Sequence, residues 1–231
     1  LTTTGFQRYN ARANVNSQVT DWFNAFVNTS LSHSVQNYSN YTGASTSNVW
    51  YSSQFVSPLF PLYVKDAEGN NVLDENGNPQ LDYGENDYNP LGGLVDDKAE
   101  IKNDVASMRT GLTFGSDKDS YGVLKGLKFA VNFGLDYRSQ SSMSYMNMYH
   151  GNQAAAGGLL IKDNRRMQSY TFNQLLTWNR NFGLHGFDVR LGHEFYAYKY
   201  EYLQAGKTNL VDGILELRPG TTLDAADSFT H

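Results

Sequence analysis

The sequence is notable first for what it lacks. Its 231 residues include no cysteine, which excludes a disulfide framework and any metal site built from thiolates. It has no stretch of about 18 apolar residues, so it predicts no transmembrane helix, and residues 1–10 show no signal-peptide pattern. The formal net charge of −5 indicates no basic surface of the kind that nucleic-acid binders carry. We therefore expect no nucleic acid among its partners.

Aromatic residues and glycine are abundant, whereas proline is scarce. The chain has 16 Tyr, 13 Phe and 21 Gly against 5 Pro, and its mean hydropathy is −0.52. This value is too polar for a bundle of membrane-spanning helices. A transmembrane β-barrel escapes that objection, because only alternate residues of each strand face lipid. The composition therefore leaves two classes open, a soluble β-protein and a part of an outer-membrane barrel.

One segment, Leu127–Arg138, shows the clearest alternation of side chains. Its odd-numbered positions are all apolar: Leu127, Phe129, Val131, Phe133, Leu135 and Tyr137. Its even-numbered positions carry no large apolar side chain. Successive side chains of a strand point to opposite faces, whereas a helix would spread the same residues around its circumference. The pattern therefore predicts a strand with one apolar face and one polar face.

Five further segments alternate in the same way. The six predicted strands cover residues 8–16, 23–32, 106–114, 127–145, 170–178 and 187–197. Phe26 and Gln174 are the exceptions, since each interrupts the alternation of its own segment. The segments other than 127–145, an extension of Leu127–Arg138 to about Tyr145, have roughly 9–11 residues, the length that a tilted strand needs to cross a bilayer. The predicted fold class is all-β, an antiparallel transmembrane β-barrel segment.

The connections between the predicted strands alternate between short and long. The long ones are expected at about 34–98, 146–164 and 206–231, and Glu68-Gly69 and Asn76-Gly77 in the first of them suit tight turns. Short turns at one end and long loops at the other are typical of transmembrane barrels, whose long loops are extracellular. Six strands are too few to close such a barrel, because the smallest has about eight. We therefore expect the chain to be part of a larger barrel.

Charged residues on the polar faces of the predicted strands suit a water-filled lumen. We predict that seven of them line it: Arg8, Arg12, Asp136, Arg138, Asp188, Arg190 and Glu194. The solvent side of a soluble sheet would tolerate the same residues equally. They could also pair with one another instead of meeting a solute, and the sequence leaves these alternatives open.

The first long connection concentrates aromatic residues. Four of them are candidates for binding a substrate: Tyr38, Tyr41, Trp50 and Tyr51. Aromatic faces exposed in a loop could stack on a sugar or a peptide, or pack against a partner that covers the loop. Alternatively, they pack the loop onto itself or belong to an aromatic girdle at the membrane interface.

The sequence contains no recognisable catalytic pattern. Its histidines are His33, His150, His185, His193 and His231, and no two of them have the H-E-x-x-H spacing. The G-x-S-x-G and G-x-x-x-x-G-K-[ST] motifs are also absent. The segment Asp74–Gly77 suggests a hairpin turn rather than a calcium loop, because the full ligand pattern of such a loop is missing. We therefore predict a protein that is not an enzyme and that needs no metal or other cofactor.

Several motifs resemble the SusC/RagA family of TonB-dependent outer-membrane transporters of Bacteroidetes-type bacteria. They are T-G-F-Q-R-Y-N-A-R-A-N-V-N at 4–16, N-P-L-G-G-L at 89–94, G-L-K-F-A-V-N-F-G-L-D-Y at 126–137, L-L-T-W-N-R-N-F-G-L-H at 175–185 and L-G-H-E-F at 191–195. Each motif is weak by itself, but the five occur in the right order across nearly the whole chain.

The resemblance implies a barrel of about 22 strands in the outer membrane, of which this chain would be a central portion. It implies energised import of oligosaccharides or peptides, with energy relayed by TonB to an N-terminal plug and with a SusD-like surface lipoprotein over the extracellular mouth. The sequence contains no segment that resembles the plug or a TonB box. In such a barrel the charged lumen candidates could also brace the plug.

Two other interpretations remain open at this point. A passive porin or an adhesin-like barrel would share the alternating strands but would have no plug. A soluble β-rich carbohydrate-binding module would instead pack its apolar faces on one another and would stay in solution without detergent.

Overall fold

The computed structural model describes residues 4–38, 54, 59, 61–83, 89–151 and 153–231. Its strands are β1 Gly5–Thr20, β2 Phe23–Tyr38, β3 Lys98–Gly115, β4 Leu127–Met146, β5 Leu159–Phe182, β6 His185–Thr208 and β7 Thr222–Thr230. The described residues also include the α-helix α1 Pro90–Asp96 and short 3₁₀ turns at Asp119–Leu124 and Ala154–Ala156.

No helix in the described part of the chain is long and apolar enough to span a membrane.

The strands form one antiparallel sheet in which each strand lies beside its neighbours in sequence. Their order is β1-β2-β3-β4-β5-β6-β7, which is the up-and-down arrangement that short turns and simple connections allow. Among the described residues β1 pairs with β2 alone and β7 pairs with β6 alone. The sheet is therefore open at both edges, and the all-β antiparallel fold predicted from the sequence is confirmed.

The sheet has one strand more than the alternation predicted. Residues 206–231 were expected to be a long connection, but β6 continues to Thr208 and residues 222–230 form β7, paired with β6. Other strands also run further than expected, since β2 reaches Tyr38 and β5 begins at Leu159. The strand count of six and the extent of that terminal connection were therefore wrong.

The register aligns the apolar side chains of neighbouring strands on one face. Phe133 of β4, for example, lies opposite Thr110 of β3 and Phe172 of β5, and Phe172 lies opposite Phe195 of β6. We call this side of the sheet the apolar face. Leu31 on this face is 59% exposed and Phe195 is 56% exposed. Exposed apolar side chains that continue across a whole sheet mark a surface that contacts lipid or another protein.

The apolar face has the height of a membrane. On β4 it runs from Leu127 to Tyr137, which is roughly 33 Å of strand at about 3.3 Å per residue. A strand tilt of about 40° reduces this length to about 25 Å along the membrane normal, the height of the apolar band in outer-membrane barrels. Beyond Tyr137 the same strand continues to Met146, so the sheet extends well past this band.

Aromatic side chains cluster where the apolar face meets the short turns. Trp22 stacks on Phe114 with ring centroids 6.1 Å apart, and Phe23 stacks on Phe114 at 5.0 Å. A second cluster places Phe182 at 5.9 Å from Phe187. Aromatic residues of this kind favour the boundary between lipid and water, where one side of the ring is apolar and the other is wet.

Two tight turns, at 21–22 and 183–184, lie at one end of the sheet, which we call the short-turn end. The third connection at this end, 116–126, contains the 3₁₀ turn Asp119–Leu124 and is nearly as long as the connection 147–158, so the short connection predicted between β3 and β4 was wrong. The connections at 39–97, 147–158 and 209–221 form the long-connection end. The few buried apolar side chains of the described residues, Ala99, Tyr145, Leu159, Leu160 and Leu210, all lie at or near this second end. Elsewhere the described residues form a single layer rather than a sandwich of two sheets.

The described part of the first long connection contains a small three-sided coil. Val72 N donates to Val64 O, Gln80 N donates to Val72 O, and Val64 N donates to Gln80 O, so three short segments close a ring of hydrogen bonds. Gly69 and Gly77 stand at its corners with φ of 85° and 80°, a backbone conformation that favours glycine. The two tight turns predicted here are confirmed.

Candidate functional site

The side of the sheet opposite the apolar face is the candidate functional surface. We call it the polar face, and the register shows that all seven charged residues predicted to line a lumen lie on it. Arg12, for example, belongs to a cross-strand row that continues through Ser30 and Ser107 to Asp136. This common orientation follows from the two-residue period of strands, because each strand is in register with the next.

Some of the charged side chains on the polar face have partners within the sheet. Arg109 Nη2 lies 3.0 Å from Asp136 Oδ2, and the guanidinium of Arg190 makes two bonds of 3.0 and 3.1 Å to the carboxylate of Asp188. Arg8 Nε donates to Ser32 Oγ at 3.2 Å and so has a neutral partner.

Two arginines on this face remain without such partners. Arg12 and Arg138 make no hydrogen bond or ion pair within the described part of the chain, and both side chains are exposed. Arg12 borders a shallow groove with Asn14, Asn28 and Arg109. Exposed guanidinium groups present planar donors that match a carboxylate. The polar face can therefore bind negatively charged groups.

Small residues on the polar face make room for larger neighbours. A Cβ at Gly134 would lie 2.5 Å from Arg109 Nη1, so this glycine lets the arginine reach Asp136. A Cβ at Gly111 would lie 2.4 Å from Phe26 Cε1. Phe26, which interrupts the alternation of β2, thus places its ring over Gly111 on the polar face.

A row of tyrosines that the sequence reading missed runs along β6 on the polar face. Tyr196, Tyr198, Tyr200 and Tyr202 share this face because they are two residues apart. Tyr196 is 58% exposed and Tyr198 is 47% exposed. We call these four residues the tyrosine row; their period of two was the signal in the sequence that could have identified them.

Residues of β5 and β7 pack against the end of the tyrosine row that lies nearest the long connections. Phe229 of β7 packs against Tyr200 and Tyr202, with ring centroids 5.4 and 5.3 Å away. The guanidinium of Arg165 lies 5.4 Å from the ring centroid of Tyr202, a favourable cation–π distance. Its Nε also lies 3.1 Å from Asp163 Oδ1. Packing against β5 and β7 therefore holds Tyr200 and Tyr202 in place, whereas Tyr196 and Tyr198 are exposed.

The aromatic candidates of the first long connection are only partly placed. Tyr38 ends β2 and lies on the polar face opposite Ala99 of β3. Tyr41, Trp50 and Tyr51 lie outside the described residues, so a substrate site built from these four aromatics remains a prediction.

The long connections are tied together by a buried polar cluster. His150, only 6% exposed, places Nε2 at 2.6 Å from Asp96 Oδ2 of α1, and Tyr83 stacks on its ring with centroids 4.1 Å apart. A Cβ at Gly92 would lie 2.7 Å from both rings. Burial, with a smaller contribution from the carboxylate of Asp96, raises the pKa of Tyr83 to about 12, so its hydroxyl stays protonated.

The capping residue of α1 fixes the helix to the three-sided coil. Asn89 is 2% exposed, and its Oδ1 accepts from Leu91 N at 2.9 Å. Its Nδ2 donates to Leu62 O and Asp82 O at 2.9 and 2.7 Å. Both polar atoms of its side chain are therefore satisfied inside the connection.

The third long connection packs on the same side of the sheet as the apolar face, beyond the membrane-height band. Leu210 packs with Tyr145 and Leu160, and Lys162 Nζ lies 2.8 Å from Glu216 Oε2. The hydroxyl of Tyr149 donates to Asp212, which raises the pKa of Tyr149 to about 12. We call this assembly of connections, residues 61–83, 89–97, 147–151, 153–158 and 209–221, the rim.

The predicted lack of catalytic chemistry stays a prediction. Within the described ranges no three His, Asp or Glu side chains are grouped as metal ligands. His193 and Glu194 lie on opposite faces of β6, as expected for consecutive residues of a strand.

Comparison with known proteins relates the fold to transporters. No protein-family model and no curated protein sequence matches the chain. A solved structure of the RagAB peptide transporter is similar with a TM-score of 0.66 and 15% identity, over 98% of this chain and 24% of that chain. A structure of the RagAB peptide importer in the "closed-closed" state has a TM-score of 0.69 and 16% identity, over 99% of this chain and 25% of that chain. A structure in the "open-open" state has a TM-score of 0.67 and 15% identity, over 99% of this chain and 24% of that chain. The chain thus spans about a quarter of those chains and shares the fold of that portion.

Proposed function

We propose that this chain is part of a TonB-dependent outer-membrane importer of the SusC/RagA family. One observation carries the proposal: an open antiparallel sheet presents a continuous apolar face of membrane height on one side and a polar, charged face on the other. The similarity of fold to the RagAB structures supports it. The open edges fit a larger barrel, because unpaired backbone groups are too costly in hydrocarbon.

In the proposed importer the apolar face meets lipid and the polar face lines the lumen. The short turns then lie in the periplasm and the rim lies outside the cell. A nutrient, an oligosaccharide or a peptide, is captured at the rim under a SusD-like lipoprotein. Energy delivered by TonB to a plug elsewhere in the protein then opens the path along the polar face. No bond of the nutrient is broken, so the protein is not an enzyme.

Two alternatives predict different behaviour. A passive porin or adhesin-like barrel would have the same sheet but would not depend on TonB. A soluble carbohydrate-binding module would have to cover the apolar face, yet Leu31 and Phe195 on that face are more than half exposed. The exposed face favours a membrane protein.

The test combines location with energy dependence. An epitope inserted at Asn76-Gly77, in the three-sided coil, should be detected on intact cells that express the full-length protein. Nutrient uptake that depends on this protein should stop when TonB is removed or the proton gradient is dissipated. Uptake that continues without TonB would favour the passive porin, and recovery of the protein in solution without detergent would favour the soluble module.

A further inference from the structure

We propose that the connection at 116–126, between β3 and β4, anchors the short-turn end of the sheet in the periplasmic leaflet of the outer membrane. Val123 and Leu124 insert between the phospholipid headgroups, and Arg180 of β5 holds their backbone at that level. This inference rests on the proposed importer, and it adds a phospholipid-binding surface that lies outside the strands.

Charged and apolar side chains are separated along this connection. Near its beginning, Asp117 Oδ2 lies 2.6 Å from Nζ of Lys128, a residue of the polar face. At its other end, Val123 is 82% exposed and Leu124 is 59% exposed, and these two residues complete the 3₁₀ turn Asp119–Leu124. Segments with one charged and one apolar side lie in the interface between membrane and water.

Arg180 places the apolar end of the connection on the lipid side of the sheet. It lies opposite Phe187 of β6, and the two-residue period of the strands assigns both residues to the apolar face. Its guanidinium lies 5.2 Å from the ring centroid of Phe182. Its Nη1 donates to Gly122 O at 3.0 Å and to Val123 O at 2.9 Å. The backbone of the connection is therefore held against the apolar face at this point.

The height of Arg180 matches the boundary of the membrane. Trp178, two residues before it, lies opposite Leu127, where the apolar stretch of β4 begins. Arg180 is about 6.6 Å further along its strand, which is about 5 Å along the membrane normal at a tilt of about 40°. Apolar segments at a membrane surface insert about 5–10 Å into the boundary between headgroups and acyl chains. Val123 and Leu124 can therefore reach the acyl chains from the level that Arg180 fixes.

The surroundings of the connection favour a phospholipid over a protein as the occupant. Phe182 and Phe187 beside Arg180 are 49% and 50% exposed, so apolar surface extends from the sheet onto the connection. Both bonds of Arg180 to the connection use Nη1, and Nε and Nη2 have no hydrogen-bond partner among the described residues. A phosphate group would form charge-assisted hydrogen bonds with these donors. Apolar side chains beside a guanidinium match the acyl chains and the phosphate of a phospholipid.

The experiment compares three exposed leucines in three different media. Leu124 of the connection, Leu191 on the apolar face and Leu73 in the three-sided coil are 59%, 69% and 57% exposed. Each is replaced by cysteine in the full-length transporter, labelled with a bimane fluorophore and reconstituted in phosphatidylcholine vesicles. The quenchers are iodide on both sides of the membrane and phosphatidylcholine that carries a nitroxide either near the headgroup or near the end of an acyl chain.

The three labels should respond differently. Nitroxide lipids should quench the label at Leu191, and iodide should quench the label at Leu73. At Leu124 the nitroxide near the headgroup should quench more strongly than the nitroxide near the end of the acyl chain. Iodide quenching at Leu124 should be roughly twofold to fivefold weaker than at Leu73, because the label lies in the interface.

A second pair of variants tests the role of Arg180. Added to Leu124→Cys, Arg180→Gln should raise iodide quenching of the label toward the level at Leu73, because the connection is no longer held on the lipid side. Arg190→Gln, which removes an arginine of the polar face on the neighbouring strand, should leave that quenching unchanged. The label at Leu191, measured in both backgrounds, should stay in contact with lipid and so shows that the protein is inserted.

The outcomes separate this inference from the proposed function. Iodide quenching at Leu124 as strong as at Leu73 would overturn the lipid anchor, and so would shielding from both kinds of quencher, which a protein partner would produce. Unchanged quenching in Arg180→Gln would overturn the role of that arginine. In each of these cases nitroxide quenching at Leu191 would leave the membrane barrel in place. Quenching of the label at Leu191 by iodide alone would instead remove the barrel on which the inference rests.

Discussion

A charged substitution on the apolar face should be far more costly than the same substitution on the polar face. Val131 and Ala130 are consecutive residues of β4, so they lie at nearly the same depth but point to opposite faces. Val131 lies opposite Leu112 of β3 and is close to the midpoint of the apolar stretch Leu127–Tyr137. The variants Val131→Arg and Ala130→Arg therefore form a matched pair that differs mainly in the medium around the guanidinium.

The expected magnitudes follow from the two media. An arginine that faces lipid at the midplane of a transmembrane barrel costs about 2–4 kcal/mol, which is roughly a 30- to 900-fold change in the folding equilibrium. On the polar face the cost should stay within about 0.5 kcal/mol, as for most exposed substitutions. In a soluble sheet both positions would be wetted, and the two variants would differ by about 1 kcal/mol or less.

The measurement is urea unfolding of the full-length protein from lipid vesicles. The shift of the midpoint, multiplied by the slope of stability against urea, gives the change in free energy for each variant. Equal shifts for Val131→Arg and Ala130→Arg would refute the assignment of the apolar face to lipid. A larger cost for Ala130→Arg would show that the two faces have been assigned the wrong way round.

Three further predictions concern the rim and the polar face. Backbone N–H groups donate to the carboxylates of Asp66 and Asp74 and lower their pKa values. The order of the three-sided coil should therefore persist above the unfolded pKa near 3.8 and be lost as the pH falls below it. Amide hydrogen exchange across residues 64–80 measures this, and unchanged protection at low pH would contradict it. His150→Ala should lower the local stability of the rim by roughly 1–3 kcal/mol, because it leaves the carboxylate of Asp96 without its hydrogen bond. Proteolysis of residues 61–97 should therefore accelerate, and Tyr9→Ala on the sheet serves as the control. Asp136→Asn should cost only about 0.2–1 kcal/mol, since its ion pair is exposed, and a much larger loss in urea unfolding would mean that the pair is desolvated in the complete protein.

The sequence predicted the strands well only where the two faces of a strand differ in polarity. In β4 the alternation from Leu127 to Tyr137 is clear because one face is apolar and the other is wet. In β7, T-L-D-A-A-D-S-F-T, both faces are mostly polar, and the strand was missed. Beyond the membrane-height band, hydrophobic alternation no longer distinguishes a strand from a loop. The extra lengths of β2 and β5 were missed for the same reason.

The candidate site was predicted in part, and its gaps have a different cause. The charged residues of the polar face were identified because alternation assigns a face to every residue of a strand. The tyrosine row was not, since a tyrosine counts as apolar in a hydropathy pattern although it suits a wetted surface. The contact of His150 with Asp96 and Tyr83 joins residues more than 50 positions apart, and no local pattern in a single sequence encodes such a contact.

The part of the sheet beyond the membrane-height band needs packing partners of its own, because the regular row of apolar side chains on β4 ends at Tyr137 while the strand continues to Met146. On the outer side, the connection at 209–221 covers Tyr145 and Leu160 through Leu210, so loop packing takes over where the apolar band ends. On the polar face Tyr198, which lies level with Asp136 inside the band, is 47% exposed. Leu210→Ala should therefore loosen the connection at 209–221, because it removes the side chain that packs with Tyr145 and Leu160. Limited proteolysis of residues 209–221 measures this, and an unchanged rate of cleavage would contradict the packing argument.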